Sequence, residues 1–132
     1  MVKLYKNFNV SHHHKNSIIL IGNFDGLHLG HQKLFKLALS YKKKYNSKIG
    51  VINFDPMPKM YFNNSLKNFK ISSVNQKLEL LKELKVDFII TKKFDKNFSK
   101  IKSIKFIKEI LYKKLNCKFI FVSNNFRFGN KR

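Results

Sequence analysis

The feature that most constrains the fold is a continuous apolar run over residues 17–21 that ends at Gly22. A run with no alternating polar positions is typical of a strand that is buried on both faces of a parallel sheet. Further strand-like runs cover residues 49–54, 86–91 and 118–122. Helical patterns separate these runs, over about 30–45, 74–85 and from Ser103 onward. The alternation predicts an α/β fold built on a parallel sheet with right-handed crossovers.

Each helix is predicted from apolar spacing or from a capping residue. In the first helix the spaced positions are Leu34, Leu37, Ala38, Tyr41 and Tyr45. The second begins at a capping-box pattern of Ser73 and Gln76. In the third, Ser103 is the expected cap, and the expected inner face consists of Ile104, Ile107, Leu111 and Leu115.

Length and composition indicate one globular domain over residues 1–132. The 14 phenylalanines and 43% apolar residues exclude a disordered tail, and no apolar run reaches the length of a membrane span. The single cysteine, Cys117, cannot form an internal disulfide and is interpreted as a small core residue. We therefore expect a cytoplasmic protein. The sequence does not indicate an oligomeric state.

The formal net charge of +21 would attract any polyanion, including ATP and RNA. The charge comes from 26 lysines and only two arginines, whereas base-reading surfaces rely on bidentate arginine. The abundant Lys, Asn, Ile and Phe are residues with A- and T-rich codons. We interpret the lysines mainly as solvated surface and do not expect a nucleic-acid partner. An RNA- or anion-binding protein remains an alternative.

The segment after the first run, residues 22–31, indicates a phosphate site at the carboxyl end of a strand. Gly22 and Gly26 allow a sharp turn with the backbone close to a ligand. Gly30 opens a helix whose free N–H groups and positive dipole end favour phosphate. His28 and His31 are three residues apart at that helix start, so both imidazoles can face one anion.

The same segment resembles a known family. His28-Leu29-Gly30-His31 is similar to the His-x-Gly-His signature of nucleotidyltransferases related to class I aminoacyl-tRNA synthetases. The longer string over 22–32 resembles the FAD synthetase domain of bacterial bifunctional riboflavin kinase/FMN adenylyltransferases. Three later segments also resemble motifs of that family, namely residues 53–58, 76–81 and 94–98. A fourth, 125–129, resembles its Asn/Asp-Phe-Arg-Phe-Gly loop.

The resemblance implies a Rossmann-like three-layer nucleotidyltransferase fold and transfer of AMP from ATP to FMN, giving FAD and pyrophosphate. It implies that His28 and His31 are catalytic and contact the ATP phosphates. The implied ATP-binding residues are Gly22, Asn23, Phe24, Asp25, Gly26, Gly30, Asn125 and Arg127. Mg²⁺ is implied as the companion of ATP, held mainly by substrate phosphates and without a dedicated protein site.

For the flavin the resemblance implies contacts from Phe54, Pro56, Pro58 and Phe128. A core role for Phe54 is an equal alternative. Arg127 lies between two phenylalanines, where a phosphate fork or a cation stacked on a ring is favoured over a solvated charge.

The sequence departs from the family pattern in three places. Met57 replaces the expected His, and Ser123 stands where a Gly usually precedes the 125–129 loop. The family's second phosphate signature, Ser-Ser-Thr followed by Arg, and its riboflavin kinase domain are not found in residues 1–132. We therefore expect a domain truncated at its C-terminus. The open alternatives are a non-catalytic nucleotide-binding module and a transferase for another phosphate acceptor.

Overall fold

The computed structural model describes residues 2–22, 29–55 and 84–123, and of residues 29–31 the backbone alone. The strands are β1 (Lys3–Tyr5), β2 (Ile18–Ile21), β3 (Ile49–Asp55), β4 (Phe88–Lys93) and β5 (Phe119–Val122). A single 3₁₀ turn covers His12–His14. The helices are α1 (Leu29–Tyr45), the short α2 (Lys96–Ser99) and α3, which begins at Ser103–Lys105 and continues as a π-helix over Phe106–Lys114.

The five strands form one sheet in the order β1-β4-β3-β2-β5, and every neighbouring pair is parallel. In the pairing register, Ile18 of β2 lies opposite Ile49 of β3 on one side and Phe119 of β5 on the other. All four residues of β2 are buried. The prediction of an α/β fold with a parallel sheet is confirmed. The strand predicted at residues 17–21, which is β2, is buried on both faces, as expected.

Helix α1 covers one face of the sheet. Phe35 and Ala38 are buried against a core cluster that also contains Leu20 of β2. The ring of Tyr41 packs against Phe119 of β5, with 4.9 Å between ring centroids. The expected helix over 30–45 is confirmed, but the prediction that Leu37 faces the core is wrong, because that side chain is exposed and Phe35 fills the core position.

Helix α3 covers the opposite face, so the chain forms three layers. Leu111 and Leu115 are buried as expected, whereas Ile104 and Ile107 are exposed and Phe106 and Ile110 take their places in the core. The reason is the wider helical turn, in which Leu115 N–H donates to the carbonyl of Ile110, five residues back, at 2.9 Å. An α-helical spacing therefore assigns the wrong residues to the inner face.

Two other helix predictions need correction. The N-cap of α3 is Lys102 rather than Ser103, and no side-chain hydrogen bond caps this helix. The helix expected over 74–85 falls outside the described residues except for its last two positions. Those positions form a turn, with Lys85 at a φ of 63°.

Strand β1 was not predicted from the sequence. It has only three residues and pairs with β4 alone, Lys3 lying opposite Phe88. Short outer strands of this kind lack the apolar run that identifies a buried strand, so the pattern gives no signal for it.

A ring stack closes the amino-terminal edge of the sheet. Phe88 lies over Gly50 on β3, and the imidazole of His14 stacks on Phe88 at 4.6 Å between centroids. Ser11 N–H donates to Tyr5 Oη at 3.1 Å, and Tyr5 Oη lies 2.7 Å from His14 Nδ1. Tyr5 Oη therefore joins the backbone of Ser11 to the imidazole of His14.

Helices α1 and α3 both end at this edge of the sheet, each followed by an asparagine. Asn46 follows α1 with a φ of 48°, and Asn116 follows α3 with a φ of 49°. Asn tolerates the left-handed backbone that commonly terminates helices. Lys42 near the end of α1 pairs with Asp87 at 2.8 Å, and Asp87 also accepts from Ile49 N–H at 2.8 Å. These contacts fix the end of α1 to the start of β3.

Replacing Gly50 with Ala tests the Phe88 stack. An added Cβ would overlap the ring atoms Cζ and Cε2 of Phe88 and lie 2.7 Å from Cε1. We expect Gly50→Ala to lower the free energy of unfolding by about 1–3 kcal/mol, measured by urea denaturation. The same change in a Phe88→Leu background should cost clearly less, because the overlapping ring is gone. An equal cost in both backgrounds would show that the ring does not set the requirement for glycine.

The burial of His14 makes stability depend on pH. Burial lowers its pKa from 6.5, assisted by His13, Lys48 and Lys3 and opposed by Asp87. The unfolded chain therefore binds this proton more readily than the folded chain. The stabilisation is complete above pH 6.5 and is lost as pH falls from 6.5 toward the lower folded-state pKa. Urea denaturation of the wild type and His14→Gln across pH 5–8 should show this component in the wild type alone.

The matched control is His12→Gln, which changes an exposed imidazole in the same turn and leaves the His14 contacts in place. It should retain the wild-type pH dependence. A His14→Gln variant with the same pH dependence as the wild type would contradict the role given to this buried imidazole.

Candidate functional site

The candidate site is built on the carboxyl end of β2, between its two neighbours. Gly22 is buried, and its N–H donates to the carbonyl of Ile52 on β3 at 3.4 Å. On the other side, Ser123 N–H donates to the carbonyl of Ile21 at 3.1 Å. The end of β2 is therefore held between β3 and β5. This is the edge of a parallel α/β sheet at which ligands bind.

Helix α1 starts at this same edge. Its first residue, Leu29, follows Gly22 by seven positions, and its last residue, Tyr45, contacts the first residue of β5, with 4.8 Å between ring centroids. A helix of 17 residues spans about 25 Å. It therefore runs from the carboxyl edge back to the amino edge, with its N-terminus at the ligand edge.

The N-terminus of α1 has the electrostatic character of an anion site. Its first N–H groups have no partner within the helix, and the helix dipole places partial positive charge there. The first turn contains no acidic residue, so no carboxylate of that turn competes for these groups. Gly30 and His31 lie in this turn, as the sequence predicted.

Several expected site residues fall outside the described residues. They are Asn23, Phe24, Asp25, Gly26, His28, Pro56, Pro58, Asn125, Arg127 and Phe128. The convergence of His28 and His31 on one phosphate therefore stays a prediction. What the structure supplies is the frame around them, namely the end of β2 at Gly22 and the start of α1 at Leu29.

Phe54 lies near the end of β3 and is 1% exposed. Its ring packs against Phe94 at 5.8 Å, Phe98 at 5.5 Å and Phe106 at 6.3 Å between centroids. This packing supports the core alternative for Phe54. Its contact with a flavin stays a prediction. The neighbouring Asn53 is a buried polar side chain on the same strand.

The 94–98 motif acquires a structural role that the sequence analysis did not assign. Phe94 N–H donates to the carbonyl of Asp55 at 3.1 Å, which extends the pairing of β4 with β3. Asp95 is the N-cap of α2, and its Oδ1 accepts from Phe98 N–H at 2.9 Å. In the sequence, an Asp three residues before an aromatic residue could have indicated this helix N-cap.

Ser123 fits the site edge without strain. Among the described residues, left-handed backbone outside glycine occurs at Asn16, Asn46, Lys85 and Asn116, and Ser123 does not share it. Its N–H continues the pairing of β5 with β2. The departure from the family's glycine is therefore compatible with the sheet.

Cys117 has a structural role. Burial raises the pKa of Cys117 to about 12, and its side chain packs against the core, as expected for a small core residue. Within residues 2–22, 29–55 and 84–123, no three His, Cys, Asp or Glu side chains come together as a metal site. None of the helices in these ranges is long and apolar enough to cross a membrane.

Comparison with known proteins agrees with this geometry. A family model described as FAD synthetase matches residues 10–132. The bifunctional riboflavin kinase/FMN adenylyltransferase of Buchnera aphidicola subsp. Schizaphis graminum is 41% identical, covering 94% of this chain and 40% of that protein. The Escherichia coli K12 protein of the same name is 34% identical, covering 87% of this chain and 37% of its own length. The chain thus spans about two fifths of these curated relatives.

Solved structures support the fold. A protein described as a macrolide-efflux protein from Streptococcus pneumoniae matches with a TM-score of 0.81 and 25% identity, over 97% of this chain and 42% of that chain. Pantoate-beta-alanine ligase from Francisella tularensis matches with a TM-score of 0.51 and 21% identity. That likeness covers 70% of this chain and 36% of the ligase chain, and it supports the fold alone.

The dipole at the start of α1 can be tested by charge reversal. Lys33 is exposed on the fifth residue of α1, and helical side chains tilt toward the N-terminus. We expect Lys33→Glu to weaken ATP binding about threefold, measured by isothermal titration calorimetry, because a carboxylate there opposes the phosphate. The difference should shrink in 0.5 M KCl, where surface charges are screened.

Lys43→Glu is the matched control. It makes the same charge change at an exposed position in the last turn of α1, ten residues away or about 15 Å. Its ATP affinity should stay close to that of the wild type. Equal weakening in both variants would show that ATP responds to overall charge and not to the start of α1.

Proposed function

The chain belongs to the FAD synthetase family, and from this membership we propose that it transfers AMP from ATP to FMN, giving FAD and pyrophosphate. The observation that carries the proposal is the family match over residues 10–132, which includes β2, α1 and the residues between them. The names of the relatives support the adenylyltransferase activity in particular.

In the proposed reaction an oxygen of the FMN phosphate attacks the α-phosphorus of ATP. A new P–O–P bond forms to FMN, the bond from the α-phosphorus to the bridging oxygen breaks, and pyrophosphate leaves. The nucleophile is already an anion, so no strong base is required. Positioning and neutralisation of charge supply most of the rate.

The described frame suits that demand. The buried Gly22 and the backbone N–H groups at the start of α1 lie at one edge, where the phosphates would dock. We assign to His28 and His31 the stabilisation of charge on the transferring phosphoryl group. Gly26, Asn23, Phe24 and Asp25 would line the nucleotide pocket.

The proposal includes a magnesium ion that accompanies ATP and offsets the charge of its phosphates. We propose that substrate oxygens supply most of the ligands of this ion, because Mg²⁺ at nucleotide sites is commonly held by substrate phosphates and few protein groups. Asn125 and Arg127 are proposed to contact the nucleotide. Pro56, Pro58 and Phe128 are proposed to contact the flavin.

The direct test is formation of FAD from FMN, ATP and Mg²⁺, followed by chromatography. Replacing His28 or His31 with Ala should lower turnover about a hundredfold or more, because each removes a group that acts on developing charge. The free energy of unfolding should change little. His12→Ala removes an exposed imidazole at the opposite edge of the sheet and should keep wild-type turnover.

Two results would redirect the proposal. ATP binding without FAD formation would identify a nucleotide-binding module. Full FAD formation by both histidine variants would contradict the roles assigned to His28 and His31.

A further inference from the structure

We propose that Asp95 is a positioning residue for the flavin. By capping α2, it holds Phe94 and Phe98 against Phe54 and so fixes the carboxyl end of β3, which leads directly into Pro56. The inference rests on the proposed function, because the flavin contacts of Pro56 and Pro58 belong to that proposal. Asp95 itself is not among the residues proposed to contact the flavin.

Backbone pairing joins β4 to β3 up to the end of β3. The two strands pair through Asp55, which lies opposite Lys93. One residue further, Phe94 N–H donates to the carbonyl of Asp55 at 3.1 Å. The backbone of β3 is thus held by the β4 side up to the last residue before Pro56.

Asp95 stabilises helix α2 as its N-cap. Helix α2 has only four residues, and a helix of that length does not form on its own, because nucleation is unfavourable. Asp95 supplies the missing stabilisation twice. Its Oδ1 accepts from Phe98 N–H at 2.9 Å, and its backbone carbonyl accepts from Ser99 N–H at 2.9 Å. Loss of the side chain would loosen the turn that carries Phe98.

Helix α2 contacts Phe54 through the ring of Phe98. The Phe98 ring lies 5.5 Å from the Phe54 ring and 5.9 Å from Phe94, between centroids. It also stacks with Phe8 at 6.0 Å. All four rings are at most 6% exposed. Because protein interiors are closely packed, a displaced Phe98 must move Phe54 and with it the end of β3.

The sheet order explains why the effect should favour the flavin over ATP. β4 lies on one side of β3, and β2 lies on the other. The ATP frame depends on Gly22 and the start of α1, and Gly22 is tied to Ile52, three residues before the end of β3. Loosening α2 reaches the Asp55 end of β3 first, from the side away from β2.

The experiment compares two ligands in the same variants of the full chain. FMN affinity is measured by quenching of flavin fluorescence, and ATP affinity by isothermal titration calorimetry. Asp95→Ala should raise the Kd for FMN about fivefold to tenfold and leave the Kd for ATP within twofold of wild type. Asp95→Asn should restore FMN binding, because Asn caps helices as well as Asp.

A stability-matched control separates positioning from general destabilisation. Tyr5→Phe removes the hydrogen bond between Tyr5 Oη and His14 Nδ1, a loss of similar size at the amino edge of the sheet. It should leave both Kd values within twofold of wild type. Should Asp95→Ala fail to fold, Phe98→Leu keeps apolar volume, removes the ring contact with Phe54 and should raise the Kd for FMN about threefold.

The outcomes are distinguishable. A wild-type chain that neither binds FMN nor forms FAD overturns the proposed function, and the inference with it. A wild-type chain that binds both ligands, with an Asp95→Ala variant that changes both Kd values equally or neither, overturns the inference alone. The same result follows if Tyr5→Phe weakens FMN binding as much as Asp95→Ala does, or if Asp95→Asn fails to restore it.

Discussion

Parallel pairing of all five strands is the constraint on which the rest of the structure depends. Each pair of consecutive parallel strands requires the chain to return across a face of the sheet, and this places every strand's carboxyl end at one edge. The returns through α1 and α3 bury the two faces. The helix that follows β2 must also begin at the edge where β2 ends, so a buried glycine and a helix N-terminus are brought together by topology before any ligand is considered.

The two edges of the sheet carry different contacts. At the amino edge, the rings of His14 and Phe88 stack over Gly50, and Lys42 pairs with Asp87, so this edge is closed by packing and by an ion pair. At the carboxyl edge, β2 is followed by Gly22, which has no side chain. Beside it, an aromatic cluster around Phe54 stabilises the end of β3. Gly22 and the start of α1 lie together at the carboxyl edge, an arrangement that suits binding of a polyphosphate.

Continuous apolar runs predicted β2, β3, β4 and β5. The physical reason is clear for β2 and β3, which are buried on both faces and need apolar residues at most positions. β5 is an edge strand with Ile120 and Val122 exposed, although its run is equally apolar. β1 gave no such signal, since three residues beside one neighbour require little burial. The inner face of α3 was misassigned because the sequence does not reveal a π-helical turn, and only Leu111 and Leu115 occupy the core in either geometry. The site's frame was predictable from glycine spacing. Asp95 could be recognised as a cap from its spacing to Phe98, but its link to Phe54 could not, because that link depends on rings brought together by the fold.

The most direct test of the central claim is to locate the polyphosphate by NMR, using Mn²⁺–ATP as a paramagnetic probe on an isotopically labelled chain. The account predicts that broadening of backbone amides is strongest at Gly22 and at the first residues of α1, Leu29 to His31. Amides of the His12–His14 turn, at the opposite edge, should stay sharp at the same concentration. Broadening that follows the exposed lysines over the whole surface, or that centres on the amino edge, would contradict a phosphate site at the end of β2.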